Sequence, residues 1–455
     1  MSLASLLSIA RSALTTHQRA IDVTGHNIAN ASTPGYTRQR LAIVAETPFR
    51  TPLGTVGRGV TDQGVFAERN VFLDATVRRE QGNLGRSDTL RDMLGQVEAV
   101  FGEPSESGLG ATIDAFFSAF SDLANDPSSL AARSVVRQAG SSLIQQVGLI
   151  AGRLTDLATD TTTRTEGTVS QVNALALQIA DLNRAIVVEG GPNRTAPDLE
   201  DQRGQLLDEL STMVQVRVID RTDGTVGVIA GDTLLVDGKF AQQLEVRPLI
   251  GGGIGVAVVG STRLLDPIGG TLAGLTALGQ QAVPSVRGEL DRLVAGIVGA
   301  VNTLHAGGTT LGGATGINFF DPAGVTAGTM RLSTDVATSA ANVVAGTTAS
   351  SGDNRVALAL AALRTGGIAS LNSSSPGDFY TALVTTVGTL VRDAERDADV
   401  AETLATSAAS RRTSETGVST DEEMVALIVQ QQAYAAATRL VTVANSMMDD
   451  LLRMV

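Results

Sequence analysis

The sequence has no cysteine, no tryptophan and a single lysine, Lys239. The missing cysteines remove disulfides, thiolate nucleophiles and thiolate metal sites together. A chain without thiols also suits passage across a membrane in the unfolded state. With 47 acidic against 34 basic residues the formal charge is -13, so there is no lysine-rich tract to neutralise phosphates. Nucleic-acid binding and attachment to anionic membranes are therefore not expected. Aromatic residues make up 3% of the chain, which leaves its cores to leucine, valine, isoleucine and alanine. No apolar run approaches the roughly 18 residues of a membrane helix. Ser5, Ser8, Arg11 and Ser12 interrupt the leucines where a secretory signal would be continuously apolar. Taken alone, these absences predict no membrane insertion and a cytoplasmic protein.

Catalytic patterns are also missing. His17, His26 and His305 show no metal-ligand spacing with one another or with nearby carboxylates, and His17 reads as a packed residue. The glycine-rich run at 251–260 continues into valines with no helix start, so it reads as a hairpin turn and not a phosphate loop. Gly238 and Lys239 lack the rest of a Walker loop. The acidic clusters around Asp208 and at 392–399 have the three and four spacing of a solvated helix face. A secreted hydrolase would have to rest on those clusters alone. The sequence thus predicts no cofactor, no metal and no enzyme.

At 455 residues the chain has room for several domains. Its first thirty residues carry a stripe at Leu3, Leu7, Ala10, Leu14, His17, Ile21, Thr24 and Ile28, spaced alternately by four and three. This heptad pattern, widened by Leu6, Ala13 and Ala20, predicts a helix from about Ser2 to Asn30. Asn30, Ser32, Thr33, Pro34 and Gly35 end it. Short strands are expected over 41–66, then mostly helix to about Met213. Within that stretch Thr195 is expected to cap a helix, with Pro197 in its first turn and Asp198 at the capping-box position. The period changes to two at Val214, Val216 and Val218, and turns are marked at Asp223-Gly224 and Asp237-Gly238. A β-rich insertion is predicted from there to about residue 275. Helix returns at 283–306, a Gly- and Thr-rich loop spans roughly 306–350, and another helix follows.

The C-terminus mirrors the start. Thr420 and Glu423 have capping-box spacing. Leu427, Tyr434, Val441 and Met448 recur every seven residues, with Gln431, Thr438, Asn445 and Leu452 between them. A half-polar seam of this kind specifies register more than it stabilises an isolated pair.

The corner at Ala29, Asn30, Ala31, Ser32, Thr33, Pro34, Gly35 and Tyr36 resembles that of the flagellar axial proteins, the rod, hook and hook-associated subunits. The last helix, with Gln431, Gln432, Tyr434, Ala444 and Asn445, is similar to the closing helix of the same family. Internal segments starting at Ala124, Asp198, Gly352 and Glu415 narrow the resemblance to the hook-associated protein 1 group of first junction subunits. The segment from Asp198 sets it apart from hook and second-junction subunits, the alternative axial readings.

The resemblance implies a structural subunit of the bacterial flagellum at the hook–filament junction, secreted through the flagellar type III channel. It further implies a homo-oligomeric ring, contacts with the hook protein and the second junction protein, and an export chaperone on the last helix. The expected assembly interface comprises Leu3, Leu7, Leu14, Ile21 and Ile28, the corner residues Asn30, Thr33, Pro34, Gly35 and Tyr36, and Leu427, Gln431, Tyr434, Val441, Asn445, Met448 and Leu452.

The predicted fold is α+β and predominantly α, with terminal helices pairing as a coiled coil, a helical middle domain and a small inserted β-rich domain. The corresponding segments are 1–40 with 412–455, 41–209 with 276–411, and 210–275. The terminal helices are expected to gain their order on assembly, because one seam offsets little of the roughly 1 to 2 kcal/mol per residue of ordering entropy.

Overall fold

The computed structural model describes residues 3–51, 54–103, 105, 107–190, 195–249, 253–267 and 269–454. Ser2, Gly251 and Gly252, part of two of the expectations above, lie outside them. The first helix, α1, covers Leu3–Asn30. Past its end the chain makes a hairpin in which β1 (Gln39–Ala45) pairs antiparallel with β4 (Val60–Ala67), while β2 (Phe49–Thr51) pairs with β3 (Gly54–Val56). A bulge between Leu41 and Ile43 bends this arm, and β1 and β4 both lie against α1.

Four helices follow: α2 (Val71–Phe101), α3 (Leu109–Asn125), the 61-residue α4 (Leu130–Gly190) and α5 (Pro197–Met213). Asn70 caps α2 by accepting from the Phe72 and Leu73 amides, and Gly102 closes it with a left-handed φ of 58°. Thr195 does not cap α5 as expected. Ala196 holds the cap position without a side-chain bond, and the Thr195 hydroxyl instead donates to the Val65 carbonyl of β4. Asp198 turns back to accept from Gln39 Nε2 at 2.7 Å.

Two antiparallel sheets come next. β5 (Val216–Asp220), β6 (Val226–Ala230), β7 (Thr233–Asp237) and β8 (Phe240–Ala241) form a four-stranded meander. β9 (Leu244–Pro248), β10 (Ile254–Val258) and β11 (Leu264–Leu265) form a three-stranded one. Of the glycine-rich run, Ile254–Val258 form β10 and pair antiparallel with Leu244–Pro248 of β9. Helix resumes earlier than expected, with α6 (Gly270–Ala277) leading through a π turn at Leu278–Ala282 into α7 (Val283–Ala306). Gly269 at its cap and Gly270 at its first position hide its start. The described chain ends with α8 (Thr334–Thr338), α9 (Arg355–Ala362), α10 (Pro376–Thr416) and α11 (Thr420–Arg453). Ser419 caps α11, one residue before the expected Thr420.

Apolar burial is concentrated in two clusters. The larger joins the second half of α2, α3, the first half of α4, α7, α9 and the first half of α10. At its centre Phe116 meets Phe117, Phe120, Phe319 and Phe320 at ring-centroid distances of 5.2 to 5.6 Å. Phe319 and Phe320 come from the Gly- and Thr-rich loop, which is therefore core material and not only a connection. The smaller cluster packs Val172, Ile179, Leu207 and Leu210 of α4 and α5 under Val226, Val228 and Leu235 of the meander.

Helix asparagines fix the register of the segments around these clusters. Asn173 bonds both the N–H and C=O of Leu244, at 2.8 and 2.9 Å. Asn183 does the same for Val226 at 3.1 and 3.0 Å, and Asn302 for Phe320 at 2.9 and 3.0 Å. Each side-chain amide replaces one strand neighbour for a single residue.

Candidate assembly interface

α1 and α11 pack as an antiparallel pair. His17 Nδ1 donates to Gln430 Oε1 at 2.7 Å and Asn27 Nδ2 to Glu423 Oε2 at 3.0 Å, so one helix descends as the other rises. The side chains buried between the ends are small or polar: Ala10, Thr16, Ala20, Thr24 and Asn27 on α1, and Glu423, Ala437 and Ala444 on α11. Glu423, Gln430, Ala437 and Ala444 keep a seven-residue spacing. Small residues let two helices approach closely but bury little apolar area.

The expected interface residues divide along this geometry. Leu3, Leu7, Leu14, Ile21 and Ile28 are half-buried along α1. On α11, Leu427 and Val441 are half-buried, whereas Gln431, Tyr434, Asn445, Met448 and Leu452 are exposed. Ile428, Val429, Leu440, Val443, Met447 and Leu451 are exposed beside them. Apart from Leu427 and Val441, the large apolar side chains of α11 are thus left exposed by the pairing with α1.

The corner after α1 is built from its own sequence. Tyr36 N–H donates to the Thr33 carbonyl at 3.2 Å, Pro34 fixes the second turn position and Gly35 takes a φ of 74° at the third. A Cβ on Gly35 would lie 2.5 Å from Gln205 Nε2, which donates to the Pro34 carbonyl at 2.5 Å. Asn30 turns back on its own helix to the His26 carbonyl, and its Oδ1 accepts from Thr33 Oγ1 at 3.2 Å.

Asn27, one turn before the helix end, collects the whole corner. Its Oδ1 accepts from Tyr36 Oη at 2.8 Å and from Gln39 N–H at 2.9 Å, and its Nδ2 donates to the Gln39 carbonyl at 2.8 Å. Glu423 completes the set by accepting Arg38 Nε at 2.7 Å while only 2% exposed. A carboxylate this deep is tolerated because both oxygens are bonded. Thr37 N–H and Arg69 both donate to Asp201 of α5, and Arg38 N–H donates to the Thr416 carbonyl that ends α10. Burial, together with Asp198, Asp201 and Glu423, pushes the Tyr36 phenol well above the usual tyrosine range, so it remains a donor. His26 packs edge-on against its ring with centroids 5.6 Å apart.

The sequence places Tyr36 at this corner but gives no signal that Asn27, Gln39 and Glu423 join it. A polar residue on a helix reads as surface, and Glu423 reads as part of a cap. The acidic cluster at Asp208 is tied up as well, accepting from Arg78 at 2.9 Å and from Arg412 at 2.6 Å. Among the described residues no group of three or more histidines and carboxylates is arranged to hold a metal ion, and no helix is long and apolar enough to cross a membrane.

The same segments carry the likeness to known proteins. The family described as "Flagella basal body rod protein" matches residues 7–37, the C-terminal family of the flagellar basal body rod FlgEFG proteins matches 409–454, and the flagellar hook-associated protein FlgK helical domain matches 94–320. Flagellar hook-associated protein 1 of Bacillus subtilis is 30% identical over 98% of this chain and 97% of its own length. The protein of that name from Salmonella typhimurium is 27% identical over 70% of this chain and 59% of its own. A solved structure, the flagellar hook junction protein FlgK from Burkholderia pseudomallei, aligns with a TM-score of 0.48 and 24% identity over 54% of this chain and 46% of that one. The first match falls on α1 and the corner, the second on the end of α10 and α11, the third on the helical core and meander, and the Bacillus subtilis likeness runs the full length; the chain belongs to the flagellar hook-associated protein 1 family.

Proposed function

We propose that this chain is a structural, non-enzymatic subunit of the junction between flagellar hook and filament, assembled through α1 and α11. The observation that carries the reading is the arrangement of α11, which gives α1 a seam of alanines and polar residues and leaves most of its valines, leucines and methionines exposed. An isolated pair of this kind buries too little to hold two long helices firmly. Packing among copies in a ring supplies the missing burial. On this reading 1–40 with 412–455 form the inner tube, 41–209 with 276–411 a helical middle domain, and 210–275 an outer β-rich domain.

The subunit leaves the cell through the flagellar type III channel and so needs no cleaved signal. The hook protein, the second junction protein and an export chaperone on α11 are its partners. Deletion of the gene should leave hooks without filaments and release flagellin into the medium. Leu7→Asp or Leu427→Asp should leave the two apolar clusters folded, by circular dichroism and proteolysis, yet block incorporation. Filament growth with either variant would show that the seam is not the assembly surface. Turnover of a hydrolase substrate by the purified chain would remove the structural reading.

A further inference from the structure

His305 is fully buried at the end of α7, where the long loop begins. Its Nδ1 lies 2.6 Å from the Ile317 carbonyl and its Nε2 lies 2.9 Å from the Val344 N–H. A carbonyl only accepts and an amide N–H only donates, so the proton sits on Nδ1 and Nε2 presents a lone pair. One neutral ring therefore ties together two points of the loop that lie 27 residues apart. Between them the loop delivers Phe319 and Phe320 to the aromatic centre of the larger core, and the His305 ring meets Phe319 edge-on at 5.5 Å.

We infer that segment 307–347 is an acid-released cover, latched by the unprotonated His305 ring and opened when Nε2 takes a proton from solvent. Protonation turns the Nε2 lone pair into a second N–H aimed at the Val344 N–H. The amide loses its acceptor, and a cation is left among phenylalanines.

The charged groups around the ring add to the effect. Arg133 of α4 is 3% exposed, donates to the Val343 and Pro127 carbonyls, and has no carboxylate partner among the described residues. It is the charge that acts on His305 and it repels a second cation there. α3 meets this region with Phe116 and Phe120, and its Asp114 is engaged by Arg364. Arg355 at the start of α9 is paired with Asp353. On α7 itself Asp291 binds the Ala327 amide and Arg292 faces Glu289. Among the described residues no carboxylate brings a counter-charge to the ring.

Burial is the main cause that lowers the His305 pKa from its ordinary 6.5 to about 4. The sign follows. The latch is intact above pH 6.5, where folded and opened forms are both neutral, and weakens as pH falls toward 4, because the opened form takes the proton first.

The test is amide exchange on the full chain, corrected for intrinsic rates. Protection across 317–344 should fall roughly twentyfold from pH 7 to pH 5, while residues 172–186 of the smaller core keep theirs. His305→Gln, whose amide donates and accepts but does not titrate, should remove that fall. An equal fall in His305→Gln, or none in the parent chain, would overturn the inference. Should the variant fail to fold, the ring's own proton titration in the parent decides. A midpoint near 4 supports the latch and one near 6.5 refutes it.

Discussion

Several asparagines in this protein bond the backbone of a segment remote in sequence. Asn27, Asn173, Asn183 and Asn302 each hold both polar groups of one residue. Asn183 also accepts from the buried Arg203 at 2.9 Å, and burial holds that guanidinium's pKa down at about 10. Asn183→Ala should therefore cost about 2 to 4 kcal/mol, since the Val226 amide and Arg203 lose their acceptor together; urea unfolding measures it. Gly35→Ala is the backbone counterpart. Its left-handed conformation costs a side chain about 1 kcal/mol, and the new Cβ meets Gln205 as well. Reduced protection at Tyr36 and Gln39 by amide exchange is the expected outcome.

At the scale of elements, periodicity made the long helices legible and chemistry made their ends uncertain. α1, α7 and α11 fall close to where the sequence pattern puts them. The Pro34-Gly35 corner was legible because few residue pairs make that turn. Caps were displaced by one residue at α5 and α11: Ser419 and Thr420 are nearly equivalent as caps in sequence, and at α5 the tertiary bond from Thr195 to Val65 takes the hydroxyl away from the cap. Ser419→Ala should cost about 1 kcal/mol of helix stability while Thr420→Ala stays within about 0.5. Comparing the helicity of the two variants by circular dichroism checks the assignment. The cover 307–347 was legible as a loop but not as core, because its burial depends on Phe319 and Phe320 meeting helices far away in sequence. The asparagine clamps were hidden for the same reason.

Across the whole molecule, a well-packed pair of apolar clusters contrasts with a terminal pair lined by alanine, threonine and one buried carboxylate. That contrast underlies the proposal that the ends complete their packing in the assembled ring. In the free subunit, amides of 420–454 should exchange much faster than those of the larger core; full protection would speak against order gained on assembly. The most direct test uses the absence of cysteine, which allows one bulky maleimide to be placed at Met448→Cys on the exposed face of α11 or at Lys239→Cys on the β7–β8 turn. Incorporation of each labelled subunit at the tips of isolated hooks is then measured. The account predicts that the label at 448 abolishes incorporation and the label at 239 leaves it unchanged, and normal incorporation of the chain labelled at 448 would contradict it.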